Sequence, residues 1–347
     1  MESVGFVPEP SCGRGTVSII WSCLATMFFV VWTVLHMDYR ESPSKLIWGA
    51  STFFMPEAMP AAAIQQLILS RRLQRQLHKM GGWDSWALEQ SFLVIKNGVK
   101  DRSSGEIVTA DRLIQLAARE QHKSKHGDGE GDGVGIHMGM LPQKDDMDKR
   151  SKKGWFEKTI AGGQALWFSA NVVSRLAGGY QVTLLEDLTL AYACCGLMAM
   201  VAWFRCPQDI QDPFEVDVAG LRALVEEEEG GTRSPPGLRV VGNRCLSWLV
   251  MVSLSMVTAV HLGAWQYPFP TAAEAWVWRT CALVKLPVGL VLLCFRHHSR
   301  IVWLVSISVF VVARVALWAV AFAAFRKMPA SAFDSPSWCD YWGHVGR

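Results

Sequence analysis

The sequence predicts an all-α polytopic membrane protein with six or seven transmembrane helices and two cytosolic loops. Two long runs, residues 16–37 and 245–273, carry no formal charge when their histidines are neutral. Each is at least as long as the ~20 residues that a helix needs to cross hydrocarbon. Lipid admits only helices and closed barrels, and neither run alternates between polar and apolar residues as a barrel strand does.

The distribution of charge predicts the topology. Lys and Arg are concentrated in residues 71–158 and recur in 205–244, but they are absent from 176–187 and 265–278. The positive-inside rule therefore assigns the first two segments to the cytosol and the last two to the opposite side. Acidic residues are interspersed in the basic segment, which argues against a nucleic-acid partner.

Apolar and charged stretches divide the chain into segments with different environments. In chain order we expect an N-terminal tail (1–15), a first transmembrane helix with a Pro-interrupted second apolar segment (16–70), a cytosolic loop with a Gly/Asp-rich linker (71–158), a central transmembrane hairpin (159–205), an acidic cytosolic loop (206–244), three C-terminal transmembrane helices (245–326) and a C-terminal tail (327–347). The expected location is a membrane, with the endoplasmic reticulum and the plasma membrane as alternatives.

The second apolar segment, residues 46–70, has two interpretations. It is apolar enough to span, but Pro56 and Pro60 interrupt it, and Glu57 would place a carboxylate in hydrocarbon. It is either a kinked spanning helix with Glu57 facing the bundle interior, or a helix lying in the interface. The two interpretations place the N-terminus on opposite sides of the membrane.

The first cytosolic loop contains three local patterns. Residues 83–99 are mildly amphipathic and compatible with a helix resting on the bilayer surface. Residues 109–121 predict a short helix capped by Thr109. In residues 127–133 Gly alternates with acidic residues, but the EF-hand glutamate and flanking helices are missing, so we expect a flexible linker. The cysteines form no CxxC pair, and we predict neither a metal nor a cofactor.

Ionisable side chains within or beside the apolar runs are the candidate functional residues. They are Glu57, Arg175, Glu186, Asp187, Arg279, Lys285 and Arg314. Arg314 lies near the middle of residues 301–325 and needs an acceptor, for which Glu57 and Glu186 are the candidates. Such a contact is either a structural ion pair or part of a ligand pocket.

The same residues support an enzyme hypothesis. Glu57 and Glu186 are the predicted catalytic residues, as general acids whose proton affinity an apolar cavity would raise. Arg175 and Arg314 are the predicted substrate-binding residues. Capping of a helix N-terminus is the alternative role for Glu186 and the neighbouring Asp187.

Several motifs resemble those of a large group of filamentous-fungal multi-pass membrane proteins without a settled activity. The matching residues are Ser11-Cys-Gly-Arg-Gly-Thr16, Trp21-Ser-Cys-Leu24, Trp32-Thr33, Pro56-Glu57, Gln164, Trp167-Phe168, Arg175, Thr183, Glu186, Thr189-Leu-Ala191, Trp203, Pro207 and Asp209. One departure is that Gln90 and Asn97-Gly98 stand where the group has a His and a Gly-Gly pair. The resemblance implies a role in the biosynthesis of lipophilic secondary metabolites.

Three functional hypotheses follow. The first is an accessory membrane protein of a secondary-metabolite pathway, with the lipid bilayer and a lipophilic small molecule as its partners. The second is a membrane-embedded acid–base enzyme such as a terpene-type cyclase. The third is a secondary transporter of a hydrophobic metabolite, although the two halves of the chain show no internal repeat.

Overall fold

The protein is built almost entirely from α-helices, which confirms the predicted fold class. The computed structural model describes residues 3–9, 14–34, 45–126, 136, 138–150, 155–207, 212–218, 238–295 and 299–334. The helices are α1 (Thr16–Val34), α2 (Lys45–Phe54), α3 (Ala58–Leu77), α4 (Leu88–Ile95), α5 (Ala110–His126), α6 (Lys144–Arg150), α7 (Trp155–Ala177), α8 (Leu184–Ala202), α9 (Leu238–Gly263), α10 (Ala272–Phe295) and α11 (Arg300–Ala323). The strands are β1 (Ser3–Val4), β2 (Val99–Asp101), β3 (Phe214–Val216) and β4 (Met328–Pro329).

Among the described residues, five helical segments are long and apolar enough to cross a membrane. They are Thr16–Thr33, Leu184–Ala202, Cys245–Gln266, Ala272–Cys294 and Arg300–Arg326, which belong to α1, α8, α9, α10 and α11. This assignment rests on length and composition. Helix α7 has 23 residues but does not belong to this set, so its predicted span stays a prediction.

Helix α8 is the centre of the bundle. It contacts α1, α3, α7, α9 and α11, and 67% of its apolar window is buried, the largest share among the five candidate spans. Small buried residues on α8, among them Ala191, Gly196 and Ala199, let neighbouring backbones approach closely. The central hairpin thus provides the surface on which the other helices assemble.

The second apolar segment forms two helices rather than one. Helix α2 ends at Phe54 and α3 begins at Ala58, because Pro56 has no N–H to continue the helical hydrogen-bond ladder. Glu57 lies at this break and is 1% exposed. Helix α3 then packs against α8 and α9. The interior position expected for Glu57 is therefore observed, with a turn in place of a kink.

The C-terminal half of α3 leaves the bundle and enters a separate hydrophobic core. We call this region the extramembrane domain, because none of its buried members lies in a candidate membrane span. These members are Leu69, Leu73, Leu77, Trp83, Trp86, Leu93, Val94, Val99, Val108, Ala110, Leu113, Leu116, Ala117, Ile136, Leu141, Met147, Phe214, Val216 and Val218. Trp83 and Trp86 are 3% and 2% exposed within this core. Residues 83–99 accordingly pack within a protein domain, which differs from the bilayer-surface position considered for them.

Local polar contacts fix the elements of the extramembrane domain. The N–H of Arg112 in α5 donates to Thr109 Oγ1 at 3.4 Å, the predicted cap. Gln90 accepts from the Ala87 N–H at 2.8 Å and donates to the Pro142 carbonyl at 2.9 Å, so the residue that departs from the resembling group has a structural role here. The linker predicted at residues 127–133 lies outside the described residues.

The two predicted cytosolic loops meet in a parallel strand pair. Strand β2 from the first loop pairs with β3 from the second, and the Asp101 carboxylate secures the junction. It accepts hydrogen bonds from the hydroxyls of Ser103 and Ser104 at 2.6 Å each and from the backbone N–H of Val218 at 2.9 Å. Burial opposes ionisation of Asp101, but these hydrogen bonds outweigh it and hold the pKa of the carboxyl well below its usual value.

We predict that Asp101→Asn loosens this junction at neutral pH. A carboxyl whose pKa is lower in the folded state stabilises it above the unfolded-state pKa, and that stability is lost as the pH falls through the folded-state pKa. Hydrogen–deuterium exchange of the full-length protein should therefore show faster exchange in β2 and β3 of the variant at pH 7. The difference between variant and wild type should diminish below about pH 4. Equal exchange at pH 7 would contradict the proposed role of Asp101.

We also predict that Gly196→Ala destabilises the bundle although alanine favours helix formation. A Cβ atom at Gly196 would collide with the Val30 side chain of α1, and overpacking typically costs about 1–3 kcal/mol. Gly163→Ala is the matched control, because a Cβ there meets no atom within 4 Å. The thermal midpoint in detergent should fall for Gly196→Ala and stay level or rise for Gly163→Ala. Equal midpoints for the two variants would refute close packing of α1 on α8.

Candidate functional site

Arg314 and Glu57 form a buried ion pair inside the helix bundle. Arg314 Nη2 donates to Glu57 Oε2 at 2.7 Å and to Oε1 at 3.0 Å, and the side chains are 0% and 2% exposed. Arg314 lies in the middle of α11, and Glu57 lies at the break between α2 and α3. Of the two acceptors predicted for Arg314, the structure shows Glu57.

Asp187 and His261 form a second buried polar pair. His261 Nδ1 lies 2.9 Å from Asp187 Oδ2. Because the carboxylate accepts, we assign the Nδ1 proton to His261, which leaves Nε2 as a ring acceptor in the neutral tautomer. Trp278 Nε1 donates to the His261 backbone carbonyl at 3.1 Å and fixes the position of the residue. His261 Nε2 itself is buried and has no hydrogen-bond partner among the described residues.

Lys285 places its side-chain amino group in the same interior. Its side chain is 0% exposed, and Nζ makes no hydrogen bond to any described residue. Its charge interacts electrostatically with Arg314, Glu57 and Asp187. Lys285 is the fourteenth residue of α10, which places it ~20 Å along the helix from Ala272 at 1.5 Å per residue. This is well inside a hydrocarbon layer ~30 Å thick.

These five side chains constitute what we call the inner cluster: Glu57, Asp187, His261, Lys285 and Arg314. They come from five elements, the α2–α3 turn, α8, α9, α10 and α11. Two members form an ion pair, two form a carboxylate–imidazole pair, and one cation is unpaired within the described part of the chain. The cluster contains buried donor and acceptor atoms that no described residue uses.

The sequence indicated Lys285 and His261 to different degrees. Lys285 was among the candidate ionisable residues. His261 is the only ionisable residue in the otherwise uncharged run 245–273 apart from its cysteine and tyrosine, yet its pairing with Asp187 had not been predicted. The partners are 74 residues apart in sequence and meet only through the packing of α8 on α9.

Glu186 belongs to a different set of contacts, which we call the outer cluster: Arg14, Arg175, Thr183 and Glu186. Arg14 forms an ion pair with Glu186, and the Glu186 carboxylate also accepts from the Thr183 N–H at 2.9 Å. The Thr183 hydroxyl accepts from the Glu186 N–H at 3.2 Å, which completes a capping box at the start of α8. The capping role expected for Glu186 is therefore present.

Arg175 binds backbone carbonyls rather than a carboxylate. Its guanidinium donates to the carbonyls of Gln181 and Asp334 at 2.6 Å and of Ala332 at 2.9 Å. Arg14 also donates to the Ala332 carbonyl, at 2.8 Å. Strand β1 pairs with β4 beside these contacts. The outer cluster thus ties the N-terminal segment, the central hairpin and the chain after α11 together, and substrate binding by Arg175 stays a prediction.

Arg279 occupies an interfacial environment. Its guanidinium stacks over the Trp265 ring at 4.8 Å and lies 5.8 Å from the Trp276 ring. It also donates to the Trp265 carbonyl at 2.7 Å. Arg279 is the eighth residue of α10, and an arginine that contacts tryptophans is typical of a side chain snorkelling towards a membrane–water interface. Its contacts are separate from those of the inner cluster.

No group of three or more His, Cys, Asp or Glu side chains within the described ranges is placed to hold a metal ion. The polar groups of the inner cluster offer charge–charge and hydrogen-bonding chemistry. The Asp187–His261 pair joins an oxygen and a nitrogen from two different helices, an arrangement suited to proton transfer between fixed partners.

We predict that Glu57→Gln lowers the stability of the protein by about 3–5 kcal/mol, because it leaves the Arg314 charge buried without a counter-ion. The double variant Glu57→Met/Arg314→Met should recover most of this loss. The amount of monodisperse protein after detergent extraction and its thermal midpoint measure the effect.

The matched control is Glu274→Gln, which removes the partly exposed ion pair with Arg326 and should cost no more than about 1 kcal/mol. If the losses of stability measured for Glu57→Met alone and for Arg314→Met alone add up in the double variant, Glu57 and Arg314 do not act as a pair.

Comparison with known proteins identifies a family. No curated protein and no solved structure matches the chain. A family model described as a family of unknown function, DUF8562, matches residues 1–225, which is well over half of the 347 residues. The chain belongs to this family.

Proposed function

We propose that this protein is an integral membrane enzyme that carries out acid–base chemistry on a lipophilic small molecule at the inner cluster. The supporting observation is that His261 Nε2 and Lys285 Nζ are buried and unpaired among the described residues, next to Asp187. Buried polar networks with a purely structural role normally satisfy their members, because each unpaired group costs free energy. Groups left unpaired beside a carboxylate–imidazole pair are suited to a ligand.

The proposal assigns different roles to the buried carboxylates. Glu57 and Glu186, the carboxylates predicted as proton donors, each accept hydrogen bonds from an arginine, and we assign them to ion pairing. Asp187 bonds to an imidazole instead. A histidine held at Nδ1 by a carboxylate can accept or deliver a proton at Nε2, which is the general acid–base arrangement found in many enzymes.

The substrate class follows from the position of the cluster. A molecule reaching side chains at this depth enters from hydrocarbon more readily than from water. The resemblance to filamentous-fungal membrane proteins supports the same class and suggests a place in a secondary-metabolite pathway, in the endoplasmic reticulum or the plasma membrane. A terpene-type cyclisation, which begins and ends with proton transfer, is one reaction of this kind.

Secondary transport is the second candidate, because two helix irregularities lie beside the inner cluster. The turn at Pro56 separates α2 from α3 next to Glu57, and Pro287 lies inside α10 two residues after Lys285. Discontinuous helices near the bilayer midplane are typical of transporter binding sites.

The test is metabolite profiling of a deletion strain complemented with wild type or with Asp187→Asn, in cells and medium separately. The enzyme hypothesis predicts that Asp187→Asn is present at wild-type abundance but loses the product and accumulates a precursor, with activity reduced at least ~100-fold. Arg279→Gln is the control and should restore the product.

The other outcomes select among the alternatives. A product retained in cells and depleted from the medium would support transport. If deletion changes neither fraction, the enzyme and transport hypotheses both fail, and an accessory role in the membrane is left. If Asp187→Asn restores full production, Asp187 is not the acid–base residue.

A further inference from the structure

We infer that Lys285 is the anchor of a binding site for a lipophilic carboxylate, so that the ligand carries one anionic group on an apolar body. This inference rests on the proposed function, because it names the substrate class of the same cluster. Lys285 is fully buried, and its ammonium has no hydrogen-bond acceptor among the described residues.

The surrounding charged side chains indicate the sign of the charge that a ligand would carry. Arg314 is neutralised by direct contact with Glu57, and Asp187 is in contact with His261. Lys285 has only longer-range attraction from these carboxylates, together with repulsion from Arg314. Because Lys285 has no direct partner among the described residues while Arg314 has one, an anionic group gains most from contact with Lys285.

Unused donors define the polar end of the ligand. Arg314 uses only Nη2 for Glu57, and its Nε and Nη1 atoms are buried and unpaired within the described ranges. Lys285 Nζ adds a third unused donor. A carboxylate has two oxygens with about four acceptor positions and matches several donors better than a hydroxyl or an ether does.

The depth of Lys285 in the membrane favours a free lipophilic acid over a phospholipid headgroup as the ligand. Lys285 lies ~20 Å along α10 from its first residue, whereas phospholipid headgroups occupy the outer zones of the bilayer. A headgroup would also have to leave water to reach the cluster. A lipophilic acid can instead enter from the hydrocarbon in its neutral, protonated form and ionise beside the lysine.

The missing direct contact of Lys285 favours one anionic group on the ligand. No oxygen of a described residue accepts a hydrogen bond from Lys285 Nζ, and one bound carboxylate would do so. The Asp187–His261 pair lies close enough to Lys285 for electrostatic interaction with both residues. The site would thus hold the acidic end of a substrate near the groups that transfer protons.

The experiment uses photoactivatable dodecanoic acid and the matched dodecanol probe with purified full-length protein in phosphatidylcholine nanodiscs. Mass spectrometry identifies the crosslinked peptides. We expect the acid to label peptides of α8, α9 and α10 about tenfold more than the alcohol, which is the effect of one charge-assisted hydrogen bond.

Lys285→Met should reduce the labelling by the acid to the level of the alcohol. Because it removes an unpaired buried charge, this variant should unfold at a temperature no lower than wild type does, which separates lost binding from misfolding. Lys285→Gln is a second variant with the same expected loss. Arg279→Gln should leave the labelling unchanged, because this arginine lies at the interface.

Equal labelling by acid and alcohol, or full labelling of Lys285→Met, would overturn the inference.

The variant Asp187→Asn distinguishes failure of the binding inference from failure of the proposed catalytic function. If this variant still binds the acid but makes no product, both stand. If the wild type binds the acid while Asp187→Asn restores the product, the binding site stands and the catalytic role of Asp187 fails. If the wild type does not bind the acid and Asp187→Asn still abolishes the product, only the anchor fails.

Discussion

The cost of placing charge in hydrocarbon governs this structure. An arginine in the middle of an apolar helix requires a counter-charge, and the Glu57–Arg314 pair meets that requirement between chain segments 257 residues apart. The break before α3, which Pro56 imposes, places Glu57 at the start of the helix, where its carboxylate contacts Arg314 of α11. The pair also brings α10 and α9, which pack against α11 and α3, around one polar interior.

The two polar clusters differ in what they leave unpaired. In the outer cluster the guanidinium of Arg14 and both Nη atoms of Arg175 donate to backbone carbonyls or to the Glu186 carboxylate, which holds three parts of the chain in place. Only Arg175 Nε of these guanidinium atoms has no partner among the described residues. In the inner cluster, donors on Lys285 and Arg314 remain unused among the described residues. Both clusters use similar residue types, and this difference in hydrogen-bond satisfaction is the basis of the ligand-binding role proposed for the inner cluster.

The sequence alone predicted those features that follow from the cost of placing charge in a membrane. The fold class followed from uncharged runs, and the need of Arg314 for an acceptor followed from its position in such a run. It was insufficient where partners meet through packing alone. Nothing near His261 in sequence indicates Asp187, and Arg14 lies in a short polar segment that shows no sign of its contact with Glu186. The extramembrane domain was missed for the same reason, because its core joins α3 to residues beyond the central hairpin.

Helix α3 connects these observations physically. Its first turn follows Glu57 in the bundle interior, and its last turns supply Leu73 and Leu77 to the core of the extramembrane domain. A single helix of 20 residues has no internal hinge between these ends, so its position is set by an ion pair at one end and by apolar packing at the other. The position of Glu57 in the inner cluster therefore depends on how the extramembrane domain packs around the other end of α3. This dependence does not need a direct contact between the core of that domain and the inner cluster.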